Sequence, residues 1–145
     1  MLKTQHLAIS RFIDGPGWKH TKNYVFNRER DRYIYARSKI ALNFHLPEQI
    51  EWACEVNERT HQLAMCGVPQ LVDNPKLLSK LYQNDAMFIC ANGEEFFDNF
   101  KNILQFPEYG INRALKAQVE VFDKHTTFHS TDAFVKQLQN YFKYY

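Results

Sequence analysis

From Tyr33 to Phe44 the residues alternate in character, with Ile34, Ala36, Ile40, Leu42 and Phe44 at even positions and Tyr33, Tyr35, Arg37 and Lys39 at odd ones. Successive side chains of a strand point to opposite faces, so the pattern predicts an extended segment over 32–44. One of its faces is apolar and the other aromatic and basic. A helical stripe through Tyr33, Arg37, Ile40, Ala41 and Phe44 competes with this reading, but the length of the alternation favours the strand. Upstream, Tyr24 and Phe26 mark a strand over 23–27, and the polar run Arg28-Glu29-Arg30-Asp31 has the length of a hairpin connection. Leu7, Ile9 and Phe12 suggest a first strand that stops at Asp14-Gly15-Pro16-Gly17, where glycine and proline set a turn.

Beyond Phe44 the period changes to that of helices. Pro47 opens a helix predicted to run to about Met65, where Gly67-Val68-Pro69 ends it. Asp73-Asn74 precedes a short helix over 75–82. The apolar run Ala86 to Ala91 fits a buried strand or a helix segment equally well. Phe96, Phe97, Phe100, Ile103 and Leu104 then make a helical stripe, Phe106-Pro107 interrupts it, and Ile111, Leu115, Val119 and Phe122 resume it. Ser130-Thr131-Asp132 caps a last helix whose stripe is Phe134, Leu138, Tyr141, Phe142 and Tyr145, read as closing the core. The expectation is an α+β domain: a small N-terminal antiparallel sheet of about three strands packed against four to five helices, with residues 1–145 forming a single domain.

Composition sharpens this in one respect. The hydrophobic fraction of 45% and charged fraction of 23% are those of an ordinary globular chain, whereas twelve Phe, eight Tyr and two Trp mean an aromatic-rich core or an aromatic binding surface. The N-terminal residues lack the basic and apolar regions of a secretory signal, and the longest apolar run is far short of the ~20 residues that span a bilayer. Cys54, Cys66 and Cys90 form no close-spaced pair and read as reduced structural thiols. Cytoplasmic residence without membrane attachment follows as the expectation.

Charge is uneven. Residues 1–45 hold nine Lys or Arg against three Asp or Glu, and residues 46–145 hold nine against thirteen. A basic N-terminal third carrying Tyr24, Phe26, Arg28, Tyr33, Tyr35, Arg37 and Lys39 on one face could stack bases and neutralise phosphates. This predicts a non-catalytic nucleic-acid-binding protein for RNA or single-stranded DNA. A small protein-interaction module, of the inhibitor or immunity type, is the alternative. A third reading is a metal-independent ribonuclease whose base, acid and phosphate-holding cation come from among His20, Glu29, Arg32 and Arg37.

Metal and cofactor chemistry find little support. Glu58 and His61 have a Glu-x-x-His spacing, but di-metal bundles need a second such pair, and the sequence offers none. Glu48, Glu51, Glu55 and Glu58 form a carboxylate stripe that reads as a solvated helix face. His125 and His129 are four apart but fall between helix patterns, outside any zinc-binding context. Neither a metal nor a cofactor is expected.

Overall fold

Arg28–Arg37 forms helix α1, where the alternation predicts hairpin and strand. Glu29 and Asp31 lie in its first turn and Arg37 in its last, charges that complement the helix dipole. The Arg37 guanidinium sits 5.2 Å from the Tyr33 ring centroid, one turn away on the same helix face. Ser38 ends the helix by turning its hydroxyl back to the Ile34 carbonyl at 2.8 Å. Only after this break does the chain extend, as β1 (Ala41–Asn43). The computed structural model describes residues 28–53, 55–73, 75–83 and 85–143. The strands expected over 5–13 and 23–27, with His20, Tyr24 and Phe26, lie outside those residues.

The helix expected over 47–65 is divided into α2 (Pro47–Trp52) and α3 (Glu58–Met65). Ala53 adopts the left-handed conformation (φ 48°) and its N–H closes onto the Gln49 carbonyl. Asn57 then starts α3 afresh, its side chain accepting the Thr60 N–H at 3.1 Å. Gly67 ends α3 at φ 65°, a conformation that glycine adopts without steric cost. Strand β2 (Gln70–Val72), helix α4 (Pro75–Leu81) and strand β3 (Phe88–Ile89) follow. They lead into α5 (Gly93–Gln105), α6 (Pro107–Lys124) and α7 (Thr127–Phe142).

The three strands form one parallel sheet in the order β1-β2-β3. Ala41 pairs with Gln70 and Asn43 with Val72, while Leu71 pairs with Phe88 and Val72 with Ile89. The class is α+β, as expected, but the sheet is parallel rather than antiparallel. The physical reason is the connectivity: a helical crossover, not a tight turn, follows β1 and β2, and such a crossover returns the chain in the same direction. The central strand is buried along its whole length, as a parallel strand covered on both faces must be.

Strand alternation distributes the core. Val72 joins Ala64, Leu78, Tyr82, Met87, Ala117 and Val121 on one side of the sheet. Leu71 and Phe88 turn to the other, onto Cys90 and Ile103, with Ile40, Phe96 and Phe100 at the margin. Each fully buried Leu or Phe side chain contributes roughly 1.5–3 kcal/mol. No helix among the described residues is long and apolar enough to cross a membrane.

Candidate functional site

In an open parallel sheet the connections that leave the carboxyl ends of the strands form the natural crevice for a ligand. Here those connections begin at Phe44 after β1, Asp73 after β2 and Cys90 after β3. The first two are tied together. Asp73 accepts the backbone N–H of His45 at 3.0 Å and lies 2.6 Å from its ring Nδ1, and the His45 side chain is fully buried. The third is organised by Asn92, which caps α5 by accepting the Glu95 N–H at 2.9 Å, while the Glu95 carboxylate accepts the Ala91 N–H in return. Burial raises the pKa of the Cys90 thiol, with a hydrogen bond from Asn99 opposing that shift and the carboxylates of Glu95 and Asp73 contributing. That combination describes a structural thiol rather than a nucleophile.

A buried polar network sets the angle between β1 and α3. Asn43 donates to Thr60 Oγ1 at 2.9 Å and to Gln70 Oε1 at 3.1 Å. Gln70 donates onward to the Thr60 carbonyl at 3.1 Å, and the Thr60 hydroxyl donates to the Asn57 side chain at 3.0 Å. Asn57 Nδ2 in turn donates to the Phe44 carbonyl. The N-terminus of α3 is thereby held against the carboxyl end of β1.

Between these two elements, α1 and α2 lies an open cleft of about 450 Å³. Phe44 and Leu46 line it from the β1 connection, and Gln49 from α2. Asp31 and Tyr35 reach it from α1, and Asn57, Glu58, Arg59 and Gln62 from the first turns of α3. Phe44 is stacked on Phe96 of α5, centroids 5.3 Å apart, which fixes that wall. The lining combines a guanidinium beside the positive end of a helix, two carboxylates, three side-chain amides and two aromatic rings. Such a set can hold an anionic phosphate and several hydroxyls at once.

Of the residues expected to form a flat aromatic and basic surface, the described ones up to Arg37 lie on a helix and not on a strand. Tyr33 is 63% exposed and shares a helix face with Arg37, whereas Tyr35 is half-buried and lines the cleft. Lys39 and Arg32 are exposed, and Glu29 lies in the first turn of α1. Arg28 begins that helix. The odd-even segregation is lost because helical geometry turns residues 33, 35 and 37 by about 200° at each step of two instead of keeping them on one face.

The other candidates serve elsewhere. Glu58 accepts from Gln62 at 2.7 Å, and His61 lies 2.6 Å from the Tyr82 hydroxyl with the His125 ring 5.6 Å away. His125 also reaches the Leu81 carbonyl at 2.9 Å. His129 packs back on Thr126, which caps α7. Glu48 and Glu51 belong to α2 and Glu58 to α3, so the carboxylate stripe is interrupted. Among the described residues no three His, Cys, Asp or Glu side chains gather as a metal site. Asn43, His45, Thr60, Gln70 and Arg59 carry no signal of these roles in the sequence pattern, and Asp73 carries only that of a helix cap.

Against known proteins, the model of a glycosyl transferase-like family matches residues 4–141. No curated protein and no solved structure shows a significant match. The family match overturns the readings as a non-catalytic nucleic-acid binder, an inhibitor-type module or a ribonuclease.

Proposed function

The chain belongs to the glycosyl transferase-like family, and on that premise we propose that the cleft at the end of β1 holds a phosphate-activated sugar donor. The observation that carries this reading is the placement of Arg59 in the first turn of α3, on the wall of a polar cleft at the carboxyl end of a parallel sheet. In glycosyl transfer an acceptor hydroxyl oxygen bonds to the anomeric carbon as the bond from that carbon to the phosphate oxygen breaks; the phosphate leaves with the electron pair and the hydroxyl proton passes to a base or to solvent. A guanidinium at the dipole-positive end of a helix stabilises that growing charge. Glu58, Gln62, Asn57 and Gln49 supply acceptors and donors for sugar hydroxyls. Tyr35 and Phe44 offer aromatic surface for the flat face of a ring. The cleft's volume falls within the range of roughly 300–1,000 Å³ common to small-molecule sites.

Cys66 and Cys90 are free thiols, which suits a reducing compartment such as the cytoplasm. Thermal denaturation in the presence of UDP-glucose tests the assignment, with glucose alone as the control. The nucleotide-sugar raises the unfolding midpoint and glucose does not, and the rise disappears in Arg59→Ala. Equal midpoints with and without UDP-glucose and with a panel of other nucleotide-sugars count against the reading.

A further inference from the structure

Between the end of β1 and the start of α3 the chain leaves the body of the domain and returns to the same place. The departure is fastened by Asp73, which accepts the backbone N–H of His45 at 3.0 Å. The return is fastened twice: Val56 packs on the core cluster of Ala64, Leu78 and Val121, and the Asn57 side chain donates to the Phe44 carbonyl at 3.1 Å. A surface loop whose ends are tied together in this way can move without unsettling the elements that hold it. Helix α2, which the loop carries, has no hold on the core. It buries none of its residues, and Leu46 and Trp52 at its two ends are 65 and 70% exposed. It is braced from within, Gln49 accepting the Leu46 N–H at 2.9 Å and donating to Glu55 at 3.2 Å. It ends at Ala53, φ 48° and ψ 40°, the one described non-glycine residue with positive φ. That conformation strains any residue with a Cβ. The inner end of the helix nevertheless borders the cleft, where Leu46 and Gln49 belong to the lining.

We propose that α2 is a lid: it turns about Ala53 and closes over the cleft when the sugar donor is bound, Ala53 leaving the left-handed conformation as it does so. This rests on the reading of the cleft as a sugar-donor site. Closure answers a chemical need of that site. In an open cleft water competes with the acceptor hydroxyl: its oxygen bonds to the anomeric carbon, its proton goes to solvent, the phosphate leaves with the electron pair, and the donor is lost as free sugar. A helix with no buried contact to break moves without loss of core packing. The strain at Ala53 favours departure from the open position, and Gln49 already borders the space that the lid covers.

Hydrogen exchange, followed residue by residue in the full chain with and without saturating UDP-glucose, reads closure, while calorimetric titration reads binding. Within residues 46–53 the cleft is lined by Leu46 and Gln49, so slower exchange at Glu51, Trp52 and Ala53 reports movement of the helix rather than contact with the ligand. The expected slowing at those three amides is at least ~10-fold. Ala53→Gly relieves the open position of its strain, because glycine adopts it freely, and so lowers the affinity for UDP-glucose by about 5-fold or more. Circular dichroism checks that this variant keeps its fold. Binding without slower exchange at 51–53, or an Ala53→Gly chain that binds as tightly as the parent, overturns the lid and leaves the site assignment standing. Failure of UDP-glucose and of a panel of other nucleotide-sugars to bind removes the assignment and the lid together.

Discussion

Asp73 holds His45 from two directions, its carboxylate accepting the backbone N–H at 3.0 Å and lying 2.6 Å from the ring Nδ1. A carboxylate can only accept, so Nδ1 carries the proton, and Nε2 has no hydrogen-bond partner among the described residues. The pair joins the carboxyl ends of adjacent strands through side chains 28 residues apart in the chain. Removing the carboxylate strands two buried donors, a loss that costs about 1–3 kcal/mol. Asp73→Ala therefore lowers the free energy of unfolding by about that amount, and Asp73→Asn, which keeps one acceptor oxygen, by less. Urea unfolding of the two variants checks both the size and the order.

Gly110 is a second point at which the fold admits little change. A Cβ at this position would lie 2.9 Å from Ile103 Cγ2 and 3.2 Å from Pro69 Cβ. Ile103 is itself buried, so its methyl group cannot swing into solvent. Alanine gains about 1 kcal/mol of helix propensity over glycine, while overpacking a filled core costs about 1–3 kcal/mol. Gly110→Ala is expected to be destabilising, with a melting temperature below that of the parent chain. Gly93, where an added Cβ meets nothing within 4 Å, is the matched control.

The cluster of His61, Tyr82 and His125 gives stability a pH dependence. Burial, and next the neighbouring His125, hold the pKa of the His61 ring below its ordinary 6.5. Burial and the nearby Glu120 carboxylate raise that of the Tyr82 hydroxyl, which remains a donor across the neutral range. The unfolded chain thus binds the His61 proton at a higher pH than the folded chain does. Stability from this group is complete above pH 6.5 and is lost as the pH falls from there through the lowered folded value. His61→Gln keeps an acceptor for Tyr82 but removes the titration, so its unfolding free energy falls less steeply between about pH 7 and 5. Parallel curves for the two proteins contradict this assignment.

How much of this was legible depends on the distance over which each signal acts. Helices α4 and α5 follow from local spacing, because Pro75 and Asn92 punctuate them and their stripes repeat within one or two turns; α6 does so from Ile111 on, whereas Glu108-Tyr109-Gly110, which reads as a turn, lies in its first turn. Over residues 28–40 alternation and helical spacing coexist, so pattern alone favours the strand, while the chain is helical over Arg28–Arg37, with the Arg37–Tyr33 contact and the Ser38 stop that go with a helix. Only the last part of the expected strand, Ala41–Asn43, is extended. The stripe of α7 was legible as amphipathic, but not that it would remain exposed. The cleft escaped sequence reading almost entirely. Its walls come from four elements, and the pairs that set them, such as Asn43 with Thr60 and Gln70, lie 17 and 27 residues apart with no period to reveal them.

Arg59 and its neighbours provide the remaining site prediction. Glu58 accepts from Gln62 at the mouth of the cleft, an arrangement able to read paired hydroxyls. Gln62→Ala is expected to weaken nucleotide-sugar binding by about 10-fold, through one lost hydrogen bond to the sugar and its partner left unpaired. The affinity for UDP alone should stay nearly unchanged. Calorimetric titration of both ligands separates the two effects.

The central claim is that the cleft beside β1, and not the exposed face of α1, is where a phosphate-activated sugar binds. Backbone amide chemical shifts recorded while UDP-glucose is titrated into the ¹⁵N-labelled chain test it most directly. The account predicts saturable shifts concentrated at residues 44–46 and 57–62, with Tyr35 responding, Tyr33 silent, and the pattern abolished by Arg59→Ala. Shifts confined to Tyr33, Arg37 and Lys39, or a pattern unchanged in Arg59→Ala, would contradict it.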